Sequence, residues 1–160
     1  MMRLSKHRHN SLIPICLKYS YGGEKPTRPN RLLVMQRLVE AIRLLPNDAK
    51  IIVAGDFNDY ADSPSLLFLQ ENGLYNMTHQ AQGTHGAAGT YRYEGQWRSI
   101  DHVLVSRALR DSVSQAYVND SPFLLQEDKK YGGVKPLRTF NGLRYQRGFS
   151  DHLPLIVRFQ

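Results

Sequence analysis

Apolar residues come in short clusters separated by turn-forming residues, and the spacing within each cluster predicts an element. Ile51, Ile52, Val53 and Ala54 are apolar on successive positions, which suits a strand covered on both faces. Val34, Leu38, Ala41 or Ile42, and Leu45 recur at helical spacing. They predict a helix over residues 31–45, capped by Asn30 and stopped by Pro46, Asn47 and Asp48. Helix, turn and strand in that order are the grammar of an α/β layer. A second helix is signalled by Ser63 as cap, Pro64 in the first turn, Leu66 to Leu69 as core face and Gly73 as terminator. Upstream, residues 11–17 read as a strand and 19–30 as a loop, because Gly22, Gly23, Pro26 and Pro29 disfavour regular structure. Downstream come a flexible loop over 80–89 and a hairpin joining 90–93 to 97–106 through a turn at 94–96. Strands follow over 112–118 and 153–159, with Pro154 near the start of the last. Residues 120–148 form a long connection, and connections of that length are more often functional than not.

Composition narrows the classes. A chain of 160 residues with 41% hydrophobic and 22% charged residues is one ordinary globular domain. The formal net charge of +7 and a pI near 9.7 favour an anionic partner. Cys16 is the sole cysteine, which excludes an intrachain disulfide and a cysteine-held metal. No stretch reaches the length of a membrane span, and the basic start lacks a clean cleavage site, so the chain reads as untargeted and cytoplasmic.

Polar residues that interrupt the strands carry the candidate chemistry. Gly55 ends the first apolar run, and Asp56 and Asn58 follow two positions apart, emerging on one side while Phe57 turns inward. An acid and an amide so placed can hold a water, a phosphate oxygen or a hard cation. They can equally form an Asx-turn that closes the strand, and these residues alone leave both readings open. Asp101 stands among Ile100, Val103, Leu104 and Val105. Buried without partners it would cost several kcal/mol, so it faces solvent or sits in a site. Asp151 and His152 precede the last strand, and His85 reads as a solvent-exposed loop histidine. The long connection interleaves Lys129, Lys130, Lys135, Arg138, Arg144 and Arg147 with Tyr131, Phe140 and Tyr145. That mixture suits phosphate contact with ring stacking, or a solvated loop whose aromatics pack locally.

Three strings, GDFN at 55–58, SIDHVLVS at 99–106 and SDHLP at 150–154, resemble the endonuclease/exonuclease/phosphatase superfamily of metal-dependent phosphoesterases. The resemblance covers residues 19–160 and sets residues 1–18 apart as an atypical N-terminal segment. It implies an α/β (α+β) fold, half of the family's four-layer β-sandwich, with one mostly antiparallel sheet carrying its helices on one face. It also implies hydrolysis of phosphodiesters or phosphomonoesters with Mg²⁺ or Mn²⁺. Asp56 would be the general base, Asn58 would hydrogen-bond the nucleophile or phosphate, and Asp151 would touch the metal. His152 would donate to a phosphoryl oxygen and Asp101 would orient it. Lys129, Lys130, Arg138 and Tyr145 are the expected substrate-binding residues, and His102, on the opposite strand face, is expected to be structural.

In the family a first half of similar size supplies a metal-binding Glu, an Asn and a His that are not found here. The expectation is a truncated domain that binds its cation weakly and hydrolyses little. An apolar sheet face left bare would drive homodimerisation. The rival is a non-catalytic module that binds nucleic acid or phosphorylated ligands through residues 129–147. The substrate itself is not legible, since family members cleave DNA, RNA ends, phosphoinositides, sphingomyelin and nucleotides.

Overall fold

The computed structural model describes residues 10–17 and 24–160; the expectations for residues 1–9 and 18–23 lie outside them. Strand β1 (Asn10–Cys16) leads to helix α1 (Glu24–Ile42), strand β2 (Lys50–Asp56), helix α2 (Pro64–Glu71) and strand β3 (Leu74–Asn76). A hairpin of β4 (Tyr91–Tyr93) and β5 (Gln96–Arg98) precedes β6 (Asp101–Ser106), the short helix α3 (Arg107–Arg110) and β7 (Val113–Val118). Short strands β8 (Leu125–Glu127), β9 (Val134–Pro136), β10 (Phe140–Asn141) and β11 (Arg144–Tyr145) come before the last strand, β12 (Leu155–Phe159).

The central sheet has the order β1-β2-β6-β3. Only the β1–β2 pairing is parallel, and β6 runs antiparallel to both β2 and β3. The sheet is thus mostly antiparallel, as expected. Met35 and Val39 of α1 and Leu66 and Leu69 of α2 pack on one face of it, against Ile51, Val53, Leu74 and Leu104. Because side chains alternate, Ile52 and Ala54 point the other way and remain half-buried, while Leu12 is 70% exposed. The expectation of a strand covered on both faces is therefore corrected: the helices cover one side only.

Two further boundaries move. Helix α1 starts at Glu24, not Arg31, and runs through Pro29. The first four N–H groups of a helix have no partner inside it, so Pro26 forfeits nothing and only Pro29 removes a bond. Tertiary anchoring offsets that loss, since Thr27 and Arg31 are buried on the same face. Leu38, Ile42 and Leu45 of the expected stripe pack against the core, but its centre is Met35 and Val39, and Val34 is 42% exposed. The expected return strand over 97–106 is two strands in two sheets. Gln96–Arg98 pairs with β4, whereas Asp101–Ser106 crosses into the central sheet. Glu94 and Gly95 both have positive φ, as a two-residue type I′ hairpin requires.

The loop over 80–89 is tied down rather than flexible. The buried Asp120 carboxylate accepts the N–H groups of Thr84 at 2.8 Å, His85 at 2.6 Å and Ala87 at 3.1 Å. The connection over 120–148 is likewise no structureless loop; it folds into the hairpins β8–β9 and β10–β11.

Candidate functional site

Near its end, strand β2 is pressed by β1, with Gly55 opposite Ile15. Gly55 has φ 140°, and a Cβ there would lie 1.8 Å from the Ile15 carbonyl oxygen. Any other residue would force the two strands apart, so glycine is required immediately before Asp56. Asp56 Oδ1 accepts the Asn58 N–H at 2.8 Å and Oδ2 accepts the Asn58 amide at 3.1 Å. That is the Asx-turn, with Asn58 at φ 48°. The turn does not replace the site reading, because both residues line a cavity of about 550 Å³.

The register of β2 and β6 sets Asp56 directly opposite Asp101. Two acids facing each other across an antiparallel ladder repel, so the sheet alone does not account for the pair. The partners come from the residue just before β4 and from the segment before β12. Thr90 Oγ1 donates to Asp101 Oδ2, and His152 Nδ1 donates to the same oxygen at 2.7 Å. A carboxylate can only accept, which fixes the proton on Nδ1. Backbone bonds hold this arrangement: Leu153 N–H donates to the Thr90 carbonyl at 2.7 Å, and Tyr91 bridges His152. Asp56, Asp101 and His152 each bring one ligand atom to within 4.8 Å of the others.

Proton affinities follow from this crowding. Burial raises the Asp56 carboxyl above its ordinary value; the Asn58 N–H opposes that, and the charges of Asp101 and Asp151 add to the rise. Burial alone would lower the His152 imidazole. The hydrogen bond from Asp101 and the charges of Asp101, Asp56 and Asp151 outweigh it, so the net shift is upward.

Behind these residues lies a buried layer of which the sequence marks only His102. Arg31 Nε donates to Asp59 Oδ2 at 2.8 Å, and the side chains are 3% and 2% exposed. Ser65 Oγ donates to the same oxygen. The Asp59 carbonyl accepts Nε2 of His102 at 2.9 Å, and the Asn76 amide donates to Nδ1 of His102 at 3.1 Å. With one ring nitrogen donating and the other accepting, His102 is neutral, and burial lowers its pKa. It is structural, as expected, and edge-on to Phe57.

The expected residues are not all in one place. Asp56, Asn58, Asp151 and His152 line the cavity, and Asp101 supports it from behind. Asp151 lies outside the three-ligand cluster. Lys130 and Arg138 line a second, adjoining cavity. Lys129 is exposed and lines neither, and Tyr145 is 60% exposed and packs on Phe140. Tyr60, Tyr91, Tyr93 and Arg98 line the first cavity and were not anticipated. The alternation of Tyr91 and Tyr93 on one strand was the available signal.

The donor set fits a hard cation. Carboxylate oxygens from Asp56 and Asp151 suit Mg²⁺ or Mn²⁺, whose shells are completed by water and phosphate. Nδ1 of His152 is already engaged by Asp101.

The sequence profile described as the Endonuclease/Exonuclease/phosphatase family matches residues 15–160. An AP endonuclease from Archaeoglobus fulgidus superposes with a TM-score of 0.59 at 16% identity, covering 94% of this chain and 61% of its own. A functionally unknown conserved protein from Enterococcus faecalis V583 superposes with a TM-score of 0.55 at 17% identity, over 93% of this chain and 50% of its own. Beta toxin from Staphylococcus aureus gives 0.54 at 16% identity, over 89% and 49%. This chain thus spans about half to three fifths of these proteins' length. No curated protein sequence matches it. At such identities the structural likeness speaks for the fold, a partial endonuclease/exonuclease/phosphatase fold. The profile speaks for descent: the chain belongs to the endonuclease/exonuclease/phosphatase family.

Proposed function

We propose that this protein hydrolyses phosphoesters with a divalent cation, Mg²⁺ or Mn²⁺, through the cavity floored by Asp56 and His152. The observation that carries the reading is the opposition of Asp56 and Asp101 across the ladder, with His152 2.7 Å from Asp101. Asp56, raised by burial, is the stronger base for it and takes the proton of the attacking water. Asn58, fixed by its own turn, hydrogen-bonds the nucleophile or a phosphate oxygen. Asp101 holds the His152 ring and favours its protonated form, which donates to a phosphoryl oxygen. Asp151 would hold the cation, directly or through water, and when bound the cation would neutralise charge on the phosphoryl oxygens. A single carboxylate holds Mg²⁺ weakly.

The test is Mg²⁺-dependent hydrolysis of a phosphodiester by the protein and by Asp56→Asn. The expected loss is about 10³-fold, given that proton transfer alone supplies about 10²–10⁴. A rate unchanged by Asp56→Asn overturns the proposal. A second reading, a binding module for phosphorylated ligands, draws on Lys130 and Arg138 in the adjoining cavity. It expects salt-dependent binding that survives loss of Asp56 and His152.

The half-covered sheet face, with Leu12 70% exposed beside Ile52, supports the proposal of a homodimer through that face. Light scattering showing a monomer at micromolar concentration would overturn it. Among the described residues no helix is long and apolar enough to cross a membrane.

A further inference from the structure

We infer that the substrate is single-stranded nucleic acid, with a base beside the scissile phosphate stacked on Tyr93 and the onward backbone led by Arg98 into the adjoining cavity. The inference rests on the phosphoesterase reading for where the scissile phosphate lies. The main cavity, about 550 Å³, is of a size that holds a nucleotide-sized ligand rather than a phosphate alone. Its wall is a row of flat rings beginning at the proposed catalytic imidazole. Tyr91 lies 4.9 Å from the His152 ring, and Tyr93 lies 6.5 Å beyond, within 13° of parallel to Tyr91. Residues two apart on a strand share a face, so β4 projects both tyrosines the same way.

Guanidinium groups are set among these rings. Arg98 lies 5.1 Å over Tyr93, and Arg138 lies 5.7 Å over Tyr91. Tyr93 keeps 46% of its surface open and lines both cavities, so the two meet at its ring. In the second cavity, of about 230 Å³, Arg92, Lys130, Lys135 and Arg138 outnumber the acids Glu94 and Asp128. Arg92 and Lys135 are paired with the buried Asp128, at 3.7 and 3.4 Å, which leaves Lys130 and Arg138 as the cations at the mouth of this cavity.

A row of rings with cations between them, continued by a second anion-attracting cavity, matches a polymer that alternates planar bases with phosphates. A choline headgroup would seek the same tyrosine faces as a cation, but Arg98 and Arg138 already lie over them and would repel it, whereas a base stacks beside a guanidinium. A duplex keeps its base faces stacked on one another, which favours the single strand.

The experiment compares a fluorescein-labelled single-stranded DNA 8-mer with an 8-mer of equal charge whose residues are abasic, by anisotropy in EDTA. The base-bearing strand is expected to bind about tenfold tighter, from stacking of one or two bases. Tyr93→Leu, which keeps bulk but removes the ring, is expected to erase that difference, the two strands then binding alike even where the loosening of Arg98 weakens both. Arg98→Gln is expected to weaken both strands. Equal affinity of the two strands for the unaltered protein overturns the inference, as does a base preference that survives Tyr93→Leu or binding of neither strand. Adding Mg²⁺ to the same samples separates the two readings. Cleavage indifferent to bases would sink the stacking inference alone, and base-dependent binding without cleavage would sink the phosphoesterase reading alone.

Discussion

The turn after β2 and the segment over 120–148 both carry polar residues that the sequence singles out, yet the fold treats them in opposite ways. In the turn, Asp56, Phe57, Asn58 and Asp59 are fixed from below: Asp59 is 2% exposed against Arg31, and its carbonyl holds His102. In the segment the buried charged groups are acids that anchor backbone, Asp120 and Asp128, while Lys135 and Arg138 are half-buried and Lys129, Lys130, Arg144 and Arg147 are exposed. Phe140 is 55% exposed and Tyr145 60%. The difference separates two kinds of recognition. Bond-breaking chemistry needs groups held to a fraction of an ångström by a supporting layer, whereas attraction of a polyanion needs only charge and open ring faces.

The sharpest way to break the comparison is to remove the support under the turn. Asp59→Ala removes the buried carboxylate that Arg31 and Ser65 share, and losing one member of a buried ion pair costs about 3–5 kcal/mol. Urea unfolding should show that loss; a loss below about 1 kcal/mol would mean the turn does not depend on the pair.

A smaller effect is expected from pH, because the two histidines of this region have opposite shifts. His102 has a lowered pKa in the fold. Its contribution is whole above the unfolded value of about 6.5 and is lost as pH falls below it, because the unfolded chain then binds the extra proton. His152 has a raised pKa, so the stability from its pairing with Asp101 is whole below about 6.5 and is lost as pH rises through the folded value. Thermal midpoints across pH 5 to 8 should fall on the acid side, and in His102→Gln that acid fall should flatten. An unchanged acid slope in the variant would place the penalty elsewhere.

The smallest effect belongs to the segment. Lys129→Ala with Tyr145→Ala should leave stability within about 0.5 kcal/mol, as surface changes do. The salt dependence of oligonucleotide binding should lessen by no more than about one unit of slope. A collapse of stability would show that the segment is structural after all.

What the sequence revealed divides along the same line. The GDFN turn was half legible: a glycine at the end of an apolar run and a polar pair two residues on suit an Asx-turn or a site, and here the turn forms and lines the cavity as well. Asp101 was legible because an acid inside a strand must have a reason. His102 was read correctly as its structural neighbour from strand alternation alone. The start of α1 was missed because Pro26 and Pro29 look like loop residues unless the helix's unpaired first turn is counted. The crossing at Ser99 and Ile100 left no mark, since residues on both sides of it favour strands. There the Ile100 carbonyl accepts the Phe57 N–H at 3.0 Å, a long-range bond that no local pattern encodes. Hairpins of two and three residues such as β10–β11 and β8–β9 are too short to show alternation. Tyr91 and Tyr93 became functional candidates only when the fold set them beside His152.

The central claim is that Asp56 and the Asp101-held His152 form one phosphate-binding centre with a cation beside them at Asp151, and substoichiometric Mn²⁺ tests it through paramagnetic broadening of assigned amide and side-chain resonances. Broadening should be strongest at Asp56, Asn58, Asp151 and His152, should weaken toward Asp128, and should lessen sharply in Asp151→Asn. Broadening centred on Asp128, or spread evenly over the surface acids, would contradict it.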